Sequence, residues 1–259
     1  MDKGTIGGLL LALAGIIGGL TLEGGNINQI LQPTAAMIVL GGTLGAVLVS
    51  YPLPTVLASF KRLSSVFLER SRNLESVIEE IVSYAVKARK EGITSLDNVL
   101  PSIQDPFLKK SLMLAVDGTE PKELRKMMEL EMDNQADHEE KLPQVFESAG
   151  GFSPTIGIIG AVLGLIQVMQ HLDNIAEVGK GIAVAFVATV YGVGAANIFF
   201  LPSGGKLRIR IREEQTAREM ILEGVIAIME GLNPRMVETK LQGYLAQQGA
   251  QAAQPEYGR

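Results

Sequence analysis

Chemistry in a protein needs side chains that titrate, attack or ligate, and this sequence has few where they could cooperate. It holds two histidines, His138 and His171, and no cysteine. Without thiols there is no Cys nucleophile, no disulfide scaffold and no Cys-based zinc or iron–sulfur site. No glycine-rich loop ends in Lys-Ser or Lys-Thr, so the P-loop signature is absent. A formal net charge of −5 gives no general reason to expect nucleic-acid binding. The residues support neither an enzyme nor a resident metal or cofactor.

The placement of charge says more. Segments 4–22, 33–51, 148–170 and 181–201 contain no Lys, Arg, Asp or Glu, although these types make up 20% of the chain. A single soluble globule does not segregate its charges in this way. At 1.5 Å per residue, a 19-residue helix reaches about 28 Å, roughly one hydrocarbon core. The first segment, GTIGGLLLALAGIIGGLTL, follows Lys3 as a signal peptide would. It exceeds a typical signal core, however, has no convincing small-x-small cleavage site, and precedes further spans. The sequence reads as an integral membrane protein with four transmembrane helices.

Ion pathways through membranes normally use buried Asp, Glu, His, Lys or Arg. These spans have none, so in an ion-driven machine a partner chain must supply the titrating carboxylate. What the spans do offer is small residues four apart: Gly41/Gly45, Gly157/Ala161, Gly160/Gly164 and Ala188/Gly192/Ala196. Such stripes let helices approach closely, within one chain or between chains. Two of them lie beside Thr155, Thr189 and Tyr191, which favours the lining of a partner helix. Pro154 withdraws a helical bond from a carbonyl near residue 150, and Gly150-Gly151 weakens the helix further. The result is either an entry kink or a flexible joint.

These residues need elements to position them, and the charges orient those elements. Connection 23–32 has no Lys or Arg, and 171–180 has only Lys180, whereas Lys206, Arg208, Arg210 and Arg212 follow span four directly. By the positive-inside rule both termini and region 52–147 face the cytoplasm. On that topology His138 and His171 lie on opposite sides of the membrane, and His171 marks an interfacial helix end. Leu63, Val66, Phe67, Leu74, Val77, Ile78, Ile81, Val82 and Ala85 recur at three- and four-residue intervals, predicting one amphipathic helix that Gly92 stops. Asp105-Pro106 opens a short helix that Gly118 ends. Thr119 and Glu123 begin a charged helix that breaks near Pro143. Another runs from Leu207 to Met229 and ends near Gly231-Leu232-Asn233-Pro234. The architecture is all-α: spans at 1–51, a cytoplasmic helical region at 52–147, spans at 148–201, a helical tail at 202–246 and a disordered tail at 247–259.

Read together, several motifs resemble the MotA/PomA family of bacterial flagellar stator subunits, within the superfamily that includes ExbB and TolQ. They are Leu22-Glu23-Gly24-Gly25 after span one, and Arg89-Lys90-Glu91-Gly92-Ile93 with Leu96-Asp97 in the cytoplasmic region. In span three the run Phe152-Ser153-Pro154-Thr155-Ile156-Gly157-Ile158-Ile159-Gly160-Ala161-Val162-Leu163-Gly164 matches. Thr189-Val190-Tyr191-Gly192, Pro202, Lys206-Leu207 and Glu230-Gly231-Leu232-Asn233-Pro234-Arg235 continue the match in order. ExbB-like proteins resemble it in the glycine-rich motif but have three spans.

The resemblance implies a pentamer in the inner membrane around two copies of a MotB-like single-span partner that brings an essential aspartate. Ion flow would turn the ring against the rotor protein FliG. It implies that Arg89 and Asp97 face the rotor, with Asp in place of the more usual Glu, and that Pro154 and Pro202 couple ion binding to movement. It places Thr155, Ala161, Thr189 and Tyr191 along the ion path. Sodium prefers several oxygen ligands, by analogy with other hard cations, whereas a carboxylate alone can carry a proton. Ala161 and Ala188 stand where sodium-driven members carry hydroxyls, so the expectation is a proton-driven stator. Two other readings remain at this point: a non-flagellar envelope energy transducer of the ExbB/TolQ type, and a membrane scaffold without ion flux.

Overall fold

The structure, a computed structural model, describes residues 3–68 and 73–252. Every regular element among them is helical. Four helices are long and apolar enough to cross a membrane, in Gly4–Leu22, Pro33–Ser50, Pro121–Gln170 and Ile175–Met229. In hydrocarbon no water can satisfy backbone N–H and C=O groups, so each span must bond internally. The chain forms two compact units. One comprises Met1–Arg70 with Glu139–Ile209, the other Ser71–His138 with Arg210–Arg259.

The first unit opens with α1 (Lys3–Leu22), of which no described residue from Gly4 to Leu22 is buried within the protomer. Gly24, at φ +81°, turns the chain after it. Asn26 and Gln29 then close a capping box around a single 3₁₀ turn, Ile27–Gln29. Span two is α2 (Pro33–Ala36), a π turn (Met37–Gly41) and α3 (Gly42–Ser50). Tyr51 is extended and ends it, and α4 (Leu53–Leu68) follows. The Tyr51 hydroxyl donates to the Gln144 carbonyl (3.2 Å) and also lies 2.7 Å from Ser148 Oγ.

The second unit begins with α5 (Leu74–Glu91), capped by Asn73, whose side chain accepts from the Glu75 N–H. The periodic run from Leu63 to Ala85 is therefore two helices, not one, because Asn73 satisfies a free N-terminal donor and starts the second. Residues 69–72 lie outside the described residues. Gly92 (φ +84°) ends α5 as predicted, but the next ten residues, Ile93–Ser102, wind into 3₁₀ turns that periodicity does not reveal. Asp105 caps α6 (Pro106–Val116), accepting from the Leu108 N–H at 2.6 Å, and Gly118 (φ +83°) ends it.

Two long helices carry the chain onward. α7 spans Pro121–Gln170 without interruption, so the break expected near Pro143 does not occur, and Pro154 also lies inside a continuous helix. One proline removes one backbone bond, and tertiary packing on both sides offsets that loss. α8 (Ile175–Gly194) passes through a second π turn, Ala195–Phe200, into α9 (Leu201–Met229). Gly231 (φ +72°) turns the chain into α10 (Pro234–Ala252). Helix thus extends six residues into the expected disordered tail, whose remainder, 253–259, lies outside the described residues.

The core of the second unit joins Ile81, Leu96, Leu108, Leu112, Met128, Ile221 and Leu241 with their neighbours. Each such side chain contributes about 1.5–3 kcal/mol on burial. At its edge Glu223 accepts from Arg125 and from Lys240, both at 2.5 Å. The Arg125 hydrogen bond holds the Glu223 carboxyl below its ordinary value, against the opposing effect of burial, and Lys240 adds to the lowering. A lowered folded-state value stabilises above the unfolded-state value, and that stability is lost as pH falls through the folded-state value. Glu223→Gln should therefore cost about 1 kcal/mol at pH 7, with the half-exposed cations screening part of the charge. Its deficit should begin to shrink as pH falls below 4.5 and vanish only below the lowered folded-state value, as read by paired thermal melts of the purified protein.

Candidate ion-path helices

Spans three and four cross with their backbones in contact. A Cβ on Gly157 would lie 2.9 Å from the Ala188 carbonyl oxygen and 3.2 Å from Gly192 Cα. One on Gly164 would lie 2.7 Å from the Gly181 carbonyl oxygen, and one on Gly192 2.7 Å from that of Ser153. No side chain fits at these points, and only glycine permits the approach. Span two packs onto the same pair, with Ile38 beside Gly160 and Ile156 against Gly42. Ala35, Val39, Val187 and Ala188 form the small core between spans two and four. The stripes of spans three and four, expected to favour a partner helix, are therefore occupied within the protomer. Gly41 and Gly45 of span two face open space instead.

The crossing decides where the hydroxyls point. Two residues along a helix turn about 200°, so Thr155 projects away from the face that carries Gly157. It is exposed, and its hydroxyl donates to the Phe152 carbonyl at 2.7 Å. Thr189 is half-buried and donates to the Ala185 carbonyl at 3.2 Å, which leaves its oxygen lone pairs as acceptors. Ala161 sits half-buried near the Gly157 face, and Ala188 is fully buried. Among the described residues, no three His, Asp or Glu side chains are placed to hold a metal.

Tyr191 is engaged at both ends of its hydroxyl, donating to the Ile30 carbonyl at 2.5 Å and accepting from the Gln32 N–H at 3.3 Å. Ile158, Ile159, Val162 and Leu163 of span three, with Phe186, Val190 and Val193 of span four, are exposed and apolar. The exposed face of this helix pair thus offers few polar groups and no charge.

The two prolines sit in different backbones. Pro154 is half-buried in regular α-helix, and beside it the fully buried Ser153 hydroxyl has no hydrogen-bond partner among the described residues. Pro202 is exposed directly after the π turn. A widened turn relieves the clash between a proline ring and the carbonyl four residues earlier. Pro202 could have signalled that turn from sequence, whereas nothing in the sequence explains the one at Met37–Gly41. Near Pro202 a cavity of about 390 Å³ is lined by α1 residues, Asn197 and Lys206, and Lys206 donates to Thr5 Oγ1. In the second unit, Arg89 on the last turn of α5 and Asp97 on the 3₁₀ run are both exposed. His171 Nδ1 lies 3.0 Å from the Gln167 carbonyl at the end of α7.

The chain is similar to known proteins over nearly its whole length. Residues 99–220 match the model of the MotA/TolQ/ExbB proton channel family, and residues 6–92 that of the Motility protein A N-terminal region. Motility protein A of Helicobacter pylori is 36% identical over 246 residues, 95% of this chain and 96% of that protein. The solved C. jejuni MotAB superposes with a TM-score of 0.91 at 32% identity, covering all of both chains. The flagellar MotAB stator complex from Bacillus subtilis gives 0.88 at 32% identity, covering 98% of this chain and 100% of that one.

The crossing makes a graded prediction. Gly192→Ala should lower the stability of the purified protein by about 1–3 kcal/mol, because the added methyl overpacks the contact. Gly192→Val should prevent recovery of folded protein. Gly45→Ala, which points into open space, should melt like the unmodified protein; equal melting of Gly45→Ala and Gly192→Ala would contradict the crossing.

Proposed function

This chain belongs to the MotA/TolQ/ExbB proton channel family, and on that premise we propose that it is the four-span stator subunit of a bacterial flagellar motor. It is a multi-pass protein of the inner membrane, built to assemble with a MotB-like partner. The observation that carries the reading is a tight pair of spans whose segments 148–170 and 181–201 hold no Asp, Glu, His, Lys or Arg. Such a pair cannot relay an ion alone, so the carboxylate that binds and releases it comes from the partner's span. An envelope transducer of the ExbB/TolQ type is less supported, because the matched relatives are motility proteins and the chain has four spans.

Five copies surround two partner spans, with both termini and region 52–147 in the cytoplasm, as the basic cluster after span four favours. The Thr189 oxygen accepts a hydrogen bond from the partner's carboxyl group when that group is protonated, or from a water beside it, and Thr155 and Ala161 line the neighbouring wall. Two alanines in place of hydroxyls keep the oxygen count low, which favours protons over sodium. Pro154 and Pro202 are the joints through which carboxylate protonation moves the helices, and Arg89 and Asp97 meet FliG. Surface charges act over about 10 Å at moderate salt, so that contact is close.

Two measurements test this. Rotation should persist when sodium is removed at fixed proton-motive force and stop when a protonophore is added at fixed sodium; the reverse pattern would overturn the proton assignment. Pro154→Ala restores a backbone donor to the helix, so it should assemble normally yet rotate at a tenth of the normal speed or less, roughly the effect of one restored bond of about 1.4 kcal/mol. Failure of the variant to insert would instead make Pro154 structural.

A further inference from the structure

We infer that Tyr191 is a positioning residue, a clasp that fastens the connection between spans one and two onto span four. The connection is already shaped before the clasp engages, by the Gly24 turn and by the Asn26–Gln29 capping box. It then enters span two at Pro33, which has no N–H to offer. The two backbone groups just before that entry, the Ile30 carbonyl and the Gln32 N–H, both find their partner in one phenol. A hydroxyl that donates once and accepts once satisfies both of these half-buried groups.

The ring beneath that hydroxyl packs against the core of Ala35, Val39, Val187 and Ala188. The start of span two is therefore held to span four by apolar contact at the ring and by polar contact at its tip. Thr189 lies two residues before Tyr191, on the other side of the helix. Tyr191 thus does not meet the ion itself. It fixes the position of the helix turn that presents Thr189, a role that rests on the stator reading given above.

Tyr191→Phe isolates the hydroxyl, since phenylalanine keeps the ring that fills the core. In the purified complex with its single-span partner, hydrogen exchange of segment 26–36 should quicken about five- to thirtyfold, the population change expected from losing two net hydrogen bonds. Exchange within α8 and the melting temperature should stay as in the unmodified protein. In cells the motor should turn more slowly at low load, where ion turnover limits speed, with stall torque retained. Unchanged exchange in 26–36 would overturn the clasp. Faster exchange with unchanged low-load speed would overturn the positioning role, as would a fall in melting temperature that accounts for the slowing. If even the unmodified chain restores no rotation, the stator reading fails, while the exchange measurement still reports on the clasp.

Discussion

The structure depends on the contact of backbone with backbone where spans three and four cross. Gly157, Gly164, Gly181 and Gly192 remove the side chains that would hold the helices apart, and the carbonyls of Ser153, Gly181 and Ala188 fill the space. Close packing of this kind replaces the hydrophobic effect as the force joining helices in lipid, where every surface is already apolar. Span two then adds its own small residues to the pair, and Thr189 and Tyr191 take opposite sides of a helix whose position is fixed. The charge-free pair of spans is in this way held as one firm unit.

Much of this arrangement is legible in the sequence. Absence of charge over helix-length segments marks the four spans, because the cost of burying charge in lipid overrides local propensity. Asp105, Gly92, Gly118 and Gly231 act where their types predict, since a cap or a left-handed turn is a local matter. The small-residue stripes were visible too, but not their partner. Spacing shows that a helix can be approached closely without showing which helix approaches. Tyr191 was visible beside Thr189, yet its bonds to Ile30 and Gln32 join residues far apart in the chain, and no local pattern encodes them.

The failures share a cause. Pro143 should interrupt a helix in isolation, and α7 continues through it with the proline buried. Asn73 divides a periodic run in two because its side chain serves a backbone donor, which the apolar pattern does not record. The π turns widen the backbone inside segments that remain uniformly apolar, so hydropathy is blind to them. At each of these places a single backbone hydrogen bond decides the outcome, below the resolution of residue type.

The bare first helix has an evolutionary consequence. With no residue from Gly4 to Leu22 buried in its own protomer, selection on most of these positions concerns oiliness and length rather than shape. Leucine, isoleucine, valine and phenylalanine should replace one another there with little penalty as lineages diverge. The glycines of spans three and four should stay fixed over the same time. A bilayer of altered thickness would be felt first by α1, making it the part of the molecule most closely fitted to the host's own membrane.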